Sequence, residues 1–296
     1  MTFTETLYNL NIEYKRNVCT AELSSIKVGG NAKYTVYPKT ADELVLSIKT
    51  ANAFSEKNKL IGGCTNTFFA DEGYDGVIIR TKKLNKLDIN GGSISAEAGV
   101  SLSALMRLGA SADLDLGDGL FGIPGTLGGA LHNNAGAYGK EISDVFEYGF
   151  FYDAERDKVI KLGKNELSFS YRSSILQKEN LIFLSGKLQG KARASEEIKR
   201  NFQNVIKKRR MLHPTEPSLG SFFKRTDGVI PAFLIEKAEL KGKRIGAAAV
   251  STKHAGFIIN TGGAASYEVD TLAKEIETTI LKRFGVTLVR EAEFVK

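Results

Sequence analysis

The chain has 296 residues, 42% of them apolar, and carries a net charge of +7 from 41 lysines and arginines against 34 aspartates and glutamates. That length can bury a large core in two or three domains, and its short, interrupted apolar runs exclude a bilayer-spanning segment. The N-terminus lacks the basic-then-apolar layout of a signal peptide, so cytoplasmic residence is expected. Only Cys19 and Cys64 are present, and His132, His213 and His254 are scattered; these exclude a disulfide scaffold and offer no metal-ligand spacing, so no metal is expected.

In chain order, the pattern first predicts a strand over 33–37. A helix follows, opened by the capping box Thr40-Ala41-Asp42-Glu43 with Leu44, Ile48 and Ala51 on one face, and then strands over 59–61 and 76–81. A glycine-rich loop, IGGCTNTFFADEG, lies between those last two strands at residues 61–73. The next part, from about 84 to 190, holds predicted strands over 94–98, 145–152, 158–162 and 181–188 and a helix over 102–112.

Inside that part, residues 122–139 read GIPGTLGGALHNNAGAYG, with six glycines and the pair Asn133-Asn134. Glycine permits positive φ and leaves no Cβ in the way, so successive amides can converge on a phosphate, and a nucleotide is the natural guest. A glycine-rich surface turn between two strands is the other reading, and composition alone does not separate them. Neither GxxxxGK[ST] nor a strand-terminal GxGxxG is present, so this is neither an obvious P-loop nor a Rossmann chain. The earlier glycine-rich loop suggests one extended ligand held at two places.

The last part opens with a helix over 195–212 in which Lys207, Lys208, Arg209 and Arg210 are consecutive. Ile198, Phe202, Val205 and Ile206 recur at helical spacing, so this is an amphipathic core helix with a basic outer face. A solvated face is the first reading and attraction of a multiply anionic small ligand the second. No aromatic-studded nucleic-acid surface is visible, so no nucleic-acid partner is expected. A short helix over 231–238, strands over 245–250 and 256–260, a helix over 267–284 and an extended piece over 287–295 complete an α+β pattern.

Taken singly, Ser221 reads as a turn or cap residue, Arg172 as a surface arginine at a strand end, and Glu291 as a solvent-facing carboxylate. Their surroundings read otherwise. SSIKVGG (24–30), GGCTN (62–66), DEGYDGVIIR (71–80), AEAGV (96–100), the glycine run, LSFSYRSSI (167–175), PSLGSFFK (217–224), the segment 235–264 and RFGVTLVREAEF (283–294) occur in order along the chain. Together they resemble the UDP-N-acetylenolpyruvoylglucosamine reductase family end to end.

The resemblance implies an FAD-binding fold of the vanillyl-alcohol-oxidase/PCMH type with a C-terminal α+β substrate domain. It divides the chain into FAD-binding parts 1–82, joined by the C-terminal strand 285–296, and 83–194, with a substrate-binding part 195–284. It implies non-covalent FAD contacted by Gly62, Gly63, Cys64, Thr65, Asn66, Thr67, Gly122, Pro124, Gly125, Thr126, Gly129, Asn134, Ala135 and Gly136. NADPH is the implied hydride donor. The implied substrate is a UDP-sugar enolpyruvyl ether, reduced to UDP-N-acetylmuramate for peptidoglycan; a monomer is expected, though the sequence leaves the oligomeric state open.

By the same match Arg172, Ser221 and Glu291 are catalytic. Hydride addition to the methylene carbon drives negative charge toward the substrate carboxylate, which a guanidinium fork suits. Glu291 would sit beside that carboxylate, protonated or hydrogen-bonded through water. Ser221 would give a proton to the carbon next to it, helped by Lys224. Tyr171, Arg210 and Lys224 are expected at the substrate's carboxylate and diphosphate, whereas His254 and Asn260 suit buried hydrogen-bonding roles as well as ligand contact.

Several positions depart from the family's pattern. Lys27 stands for arginine, Cys64-Thr65 for a Gly-Ser pair, His213 for glutamine and Arg225-Thr226 for Asn-Pro, and the loop before Pro217 is one residue short. The tyrosine-bearing insertion of one subtype has no room between Leu188 and Ser195, which points to the shorter subtype. Two other readings remain beside this one: an FAD-linked oxidase of the same fold, and a non-catalytic flavin or UDP-sugar binding protein, which would need no proton donor.

Overall fold

The computed structural model describes residues 1–226 and 228–296. They form two compact units. One comprises Met1–Tyr14, Val36–Gly63 and Ile78–Arg209, and the other Lys15–Thr35, Cys64–Val77 and Arg210–Lys296. Strands Asn31–Val36, Asn58–Ile61 and Tyr74–Arg80 form where the sequence pattern predicts them, each starting one or two residues earlier.

The first unit is organised on a five-stranded antiparallel sheet in the order Lys158–Gly163, Phe146–Asp153, Leu181–Gln189, Ser93–Glu97, Leu87–Asn90. Helix Leu102–Ser111 starts on Ser101, whose hydroxyl accepts the Ala104 amide. The core gathers Ile94, Leu105, Leu127, Leu131, Phe151 and Leu188, all fully buried, together with Ile198 and Phe202 of helix Ser195–Leu212. Phe202 stacks on Phe121 at 3.8 Å, just ahead of the glycine run. Helix Ala41–Ala53 is capped by Thr40 as expected, but only half of the capping box forms: the Glu43 carboxylate accepts the Lys39 amide at 2.8 Å instead of that of Thr40.

Helix Phe3–Asn9 was not predicted. Thr2 and Glu5 close a reciprocal capping box that starts it, a T-x-x-E signature present in the sequence.

In the second unit a four-stranded antiparallel sheet runs Ser218–Ser221, Phe257–Asn260, Ala248–Val250, Arg244–Ile245. The single strand expected over 245–250 is instead a tight hairpin, with Ile245 opposite Ala248 across the Gly246 turn. Helices Pro231–Lys237 and Ser266–Phe284 complete a core containing Phe222, Ile235, Val269, Leu272 and Ile276. The first amides of the long helix are taken by a carboxylate from the first glycine-rich loop, Asp71, which accepts from Ser266 at 2.8 Å and Tyr267 at 3.2 Å.

The expected extended piece 287–295 also divides. Val289–Arg290 pairs antiparallel with Phe223–Lys224, and Glu293–Val295 runs parallel to Thr67–Phe69. Glu291 and Ala292 are where the chain leaves one partner for the other.

Candidate functional site

In the first unit, the glycine run is not a plain loop. Leu127–His132 is helical, with Thr126 as its cap and the Gly129 amide donating to Thr126 Oγ1 at 3.4 Å. The amides of Leu127 and Gly128 donate to the carbonyls of Val100 and Ala98, and the Leu102 amide donates back to Gly125. These bonds fasten the run against residues 98–102, leaving Pro124 and Gly129 exposed. The other glycine-rich loop meets it there: a Cβ on Gly62 would stand 2.1 Å from Thr126 Oγ1, so glycine permits this approach with the Thr126 hydroxyl in its capping position.

The end of the run seats Arg172. Its Nη2 donates to the Gly136 carbonyl at 2.6 Å and its Nη1 to the Asn134 carbonyl at 3.5 Å, with Glu141 Oε1 at 3.9 Å. The side chain is only 18% exposed, so this is no surface arginine. Its backbone has φ +52°, a conformation that costs free energy and is held by its surroundings. Asn134 is buried and consumed by structure: its amide donates to Glu141 at 2.7 Å and the Ser170 carbonyl at 3.0 Å, and its oxygen accepts the Ser143 amide. Ala135 donates to the Ala130 carbonyl, and its own carbonyl accepts from Ile142. Tyr171 is half exposed, with its ring 4.9 Å from the Arg172 guanidinium carbon.

In the second unit, Ser221 ends a strand with a register fault. Ser218 faces Ile259 and Ser221 faces Phe257, so three steps on this strand oppose two on its partner. Gly220, at φ +76°, absorbs the extra residue, and the bulge delivers Ser221 to an exposed position. The next carbonyl, that of Phe222, accepts the amides of Glu291 at 2.9 Å and Ala292 at 3.3 Å. Ser221 and Glu291 are therefore neighbours through the main chain. Lys224 follows on the strand paired to Val289–Arg290.

Arg290 holds this corner. It forks onto Glu277, with Nε at 2.5 Å and Nη2 at 3.1 Å, and its Nη1 reaches Asp270 at 2.6 Å. Burial pushes the Asp270 carboxyl up, but its hydrogen bonds from Arg290 and Lys274 outweigh that and hold it below the usual carboxylate range.

Residues 64–67 lie beside Glu291. Cys64 is buried at φ +53° and its thiol contacts the Thr67 carbonyl at 3.3 Å. The Asn66 side chain donates to the Glu291 carbonyl at 2.8 Å, and the Thr67 hydroxyl meets Glu293 at 3.3 Å. Asn260 is buried with both ends used, donating to the Ile26 and Lys27 carbonyls and accepting from Gly262 and Ala264. His213 packs on His254 and Phe257, and burial pushes the His254 imidazole below its usual range. Arg210 is exposed, its carbonyl taken by Lys253.

Sequence reasoning passed over Arg209, whose Cδ and Nε pack over Gly122. The signal was its place three residues after Ile206, on the apolar stripe rather than the basic face. A long anionic cofactor suits the first unit's lining, where bare glycine backbone from two loops meets beside a buried guanidinium. Among the described residues no group of three His, Cys, Asp or Glu is placed to hold a metal, and no helix is long and apolar enough to cross a membrane.

Residues 213–295 match the family described as UDP-N-acetylenolpyruvoylglucosamine reductase, C-terminal domain, and residues 32–153 match the FAD binding domain family. The UDP-N-acetylenolpyruvoylglucosamine reductase of Caldicellulosiruptor saccharolyticus is 39% identical over 300 residues, covering 100% of this chain and 96% of that one. The solved structure of UDP-N-acetylenolpyruvylglucosamine reductase from Thermus caldophilus is similar with a TM-score of 0.82 at 29% identity, covering 96% of this chain and 99% of that chain. A solvent-stable cholesterol oxidase, at 18% identity and a TM-score of 0.50, covers 62% of this chain and 38% of the oxidase, a likeness of fold alone.

Proposed function

Because the chain belongs to the UDP-N-acetylenolpyruvoylglucosamine reductase family, we propose that Arg172, Ser221 and Glu291 carry its reaction. The protein is an FAD-dependent oxidoreductase of peptidoglycan precursor synthesis with the FAD-binding fold of PCMH-type oxidases. It acts on a UDP-sugar, UDP-N-acetylglucosamine enolpyruvate, with NADPH as hydride donor. When bound, FAD relays that hydride to the methylene carbon of the enolpyruvyl group.

In the proposed reading, loop residues 62–67 and the run 122–136 hold the cofactor. Gly62, Gly122 and Gly125 keep side chains out of its way. Arg172, rigidly seated by Gly136 and Asn134, presents a planar fork to the substrate carboxylate, where negative charge grows as the double bond is reduced. Glu291 orients the same carboxylate. Ser221 hands its hydroxyl proton to the neighbouring carbon, with Lys224 favouring the alkoxide left behind, and Tyr171 and Arg210 contact the substrate's anionic groups. The reading keeps FAD-binding parts at 1–82 with 285–296 and at 83–194, and a substrate part at 195–284. It places a monomer in the cytoplasm, without nucleic-acid or membrane partners.

The observation that carries this reading is the Phe222 carbonyl, which accepts the Glu291 amide and so joins the serine's strand to the carboxylate. Anaerobic mixing tests it. NADPH should bleach the yellow protein under argon, and UDP-N-acetylglucosamine enolpyruvate should restore the colour. A colourless preparation that takes up no FAD, or reduced flavin that this substrate does not reoxidise, overturns it.

A further inference from the structure

Arg209 lies in the last turn of helix Ser195–Leu212, seven residues after Phe202 and three after Ile206. That spacing turns it inward, while the exposed Lys207, Lys208 and Arg210 form the basic face. The guanidinium packs on the opening of the glycine run: a Cβ on Gly122 would lie 3.1 Å from its Cδ and 3.2 Å from its Nε. Gly122 itself is at φ +75°.

Nε and Nη2 of Arg209 are buried and have no hydrogen-bond partner among the described residues. The Tyr138 ring, 5.4 Å from Cζ, is shared with Lys208 at 4.6 Å and supplies an electron-rich face but no acceptor in the guanidinium plane. Burial pushes the guanidinium below its usual range, the sign of a cation desolvated without a counter-charge. A buried charged donor left unpaired costs free energy, and an incoming anion repays that cost.

We propose that Arg209 is an anion-binding residue of the site, and that its buried Nε–H and Nη2–H are donors to a pyrophosphate group lying at the opening of the glycine run. The inference rests on the reading of that run as a phosphate-bearing ligand's seat. Two ligands of the proposed reaction, FAD and the UDP-sugar, carry this group.

Both sources are tested on the full chain with Arg209→Gln, Arg209→Lys and, as an exposed neighbour from the same basic run, Lys207→Gln. FAD affinity is titrated on flavin-stripped protein, the KM for UDP-N-acetylglucosamine enolpyruvate is measured on holoenzyme, and melting is followed with and without inorganic pyrophosphate. If the cofactor's pyrophosphate is held, Arg209→Gln weakens FAD about ten- to hundredfold and leaves KM alone. If the substrate's is held, KM rises by that factor and FAD affinity is kept.

In either case Arg209→Gln loses the melting shift caused by pyrophosphate, while the ligand-free variant melts no lower than wild type. Arg209→Lys, which keeps the charge but not the fork, should fall between. Both constants and the pyrophosphate shift of Arg209→Gln remaining within about twofold of wild type would overturn the proposal. A wild-type protein that takes up no FAD would instead overturn the functional reading beneath it.

Discussion

The side-chain amide of Asn66 donates to the main-chain carbonyl of Glu291 at 2.8 Å, and the Asn66 carbonyl accepts the Glu293 amide at the same distance. One residue of the first glycine-rich loop thus grips the chain on both sides of the point where it changes strand partners. Asn66→Ala should therefore lower stability by about 1 kcal/mol, one hydrogen bond's worth, measured by urea unfolding. Flavin reoxidation by substrate should slow about tenfold through a mispositioned Glu291, while reduction by NADPH is nearly unchanged. Equal slowing of both half-reactions in stopped flow would contradict this.

Ser221 sits at a bulge that leaves it exposed. Ser221→Ala should leave NADPH bleaching of the flavin intact and slow its reoxidation by substrate at least about a hundredfold, the usual scale of a general acid. Ser221→Cys should recover part of the lost rate. An alanine variant that reoxidises at the wild-type rate would remove the serine from the mechanism.

Gly62→Ala sets a Cβ 2.1 Å from Thr126 Oγ1, a contact that forces the hydroxyl off its capping position or the loop away from it. A loss of about 1–3 kcal/mol in denaturant unfolding is expected, with weakened FAD binding. Thr126→Ala alone removes the cap of helix Leu127–His132 at a cost of about 1 kcal/mol. Combined with Gly62→Ala it also relieves the clash, so the double variant should be more stable than the sum of the two losses predicts.

Arg290 binds Asp270 and Glu277 in a corner where Asp270 is 11% exposed. Arg290→Gln leaves Asp270 only Lys274 and should cost about 2–4 kcal/mol near neutral pH. The Asp270 carboxyl is held below its usual range in the fold, so its stabilisation is present above the unfolded value of about pH 4 and disappears as pH falls through the lower folded value. The gap between wild type and variant should accordingly narrow in urea titrations below about pH 4. A constant gap from pH 7 to pH 3 would show that this carboxylate plays no part.

Local chemistry in the sequence determined much of this molecule. Helix Ser195–Leu212 was legible because apolar residues recur at 3.6-residue spacing, and Thr40 announced its helix because the first amides of a helix lack intrahelical partners that its hydroxyl can replace. The order of motifs pointed to the family and to Arg172, Ser221 and Glu291 without coordinates. Tertiary structure decided what depends on distant partners. Helix Leu127–His132 is hidden in a glycine run of poor helix propensity, and it is held by Thr126 and by the burial of Leu127 and Leu131. The bend at Glu291 exists because Phe223–Lys224 and Thr67–Phe69 each claim part of the C-terminal piece. Arg209 and Arg210 are adjacent letters of one basic run, but a helix turns about 100° per residue, so packing over Gly122 half-buries the first, Nε and Nη2 included, while the second stays in water.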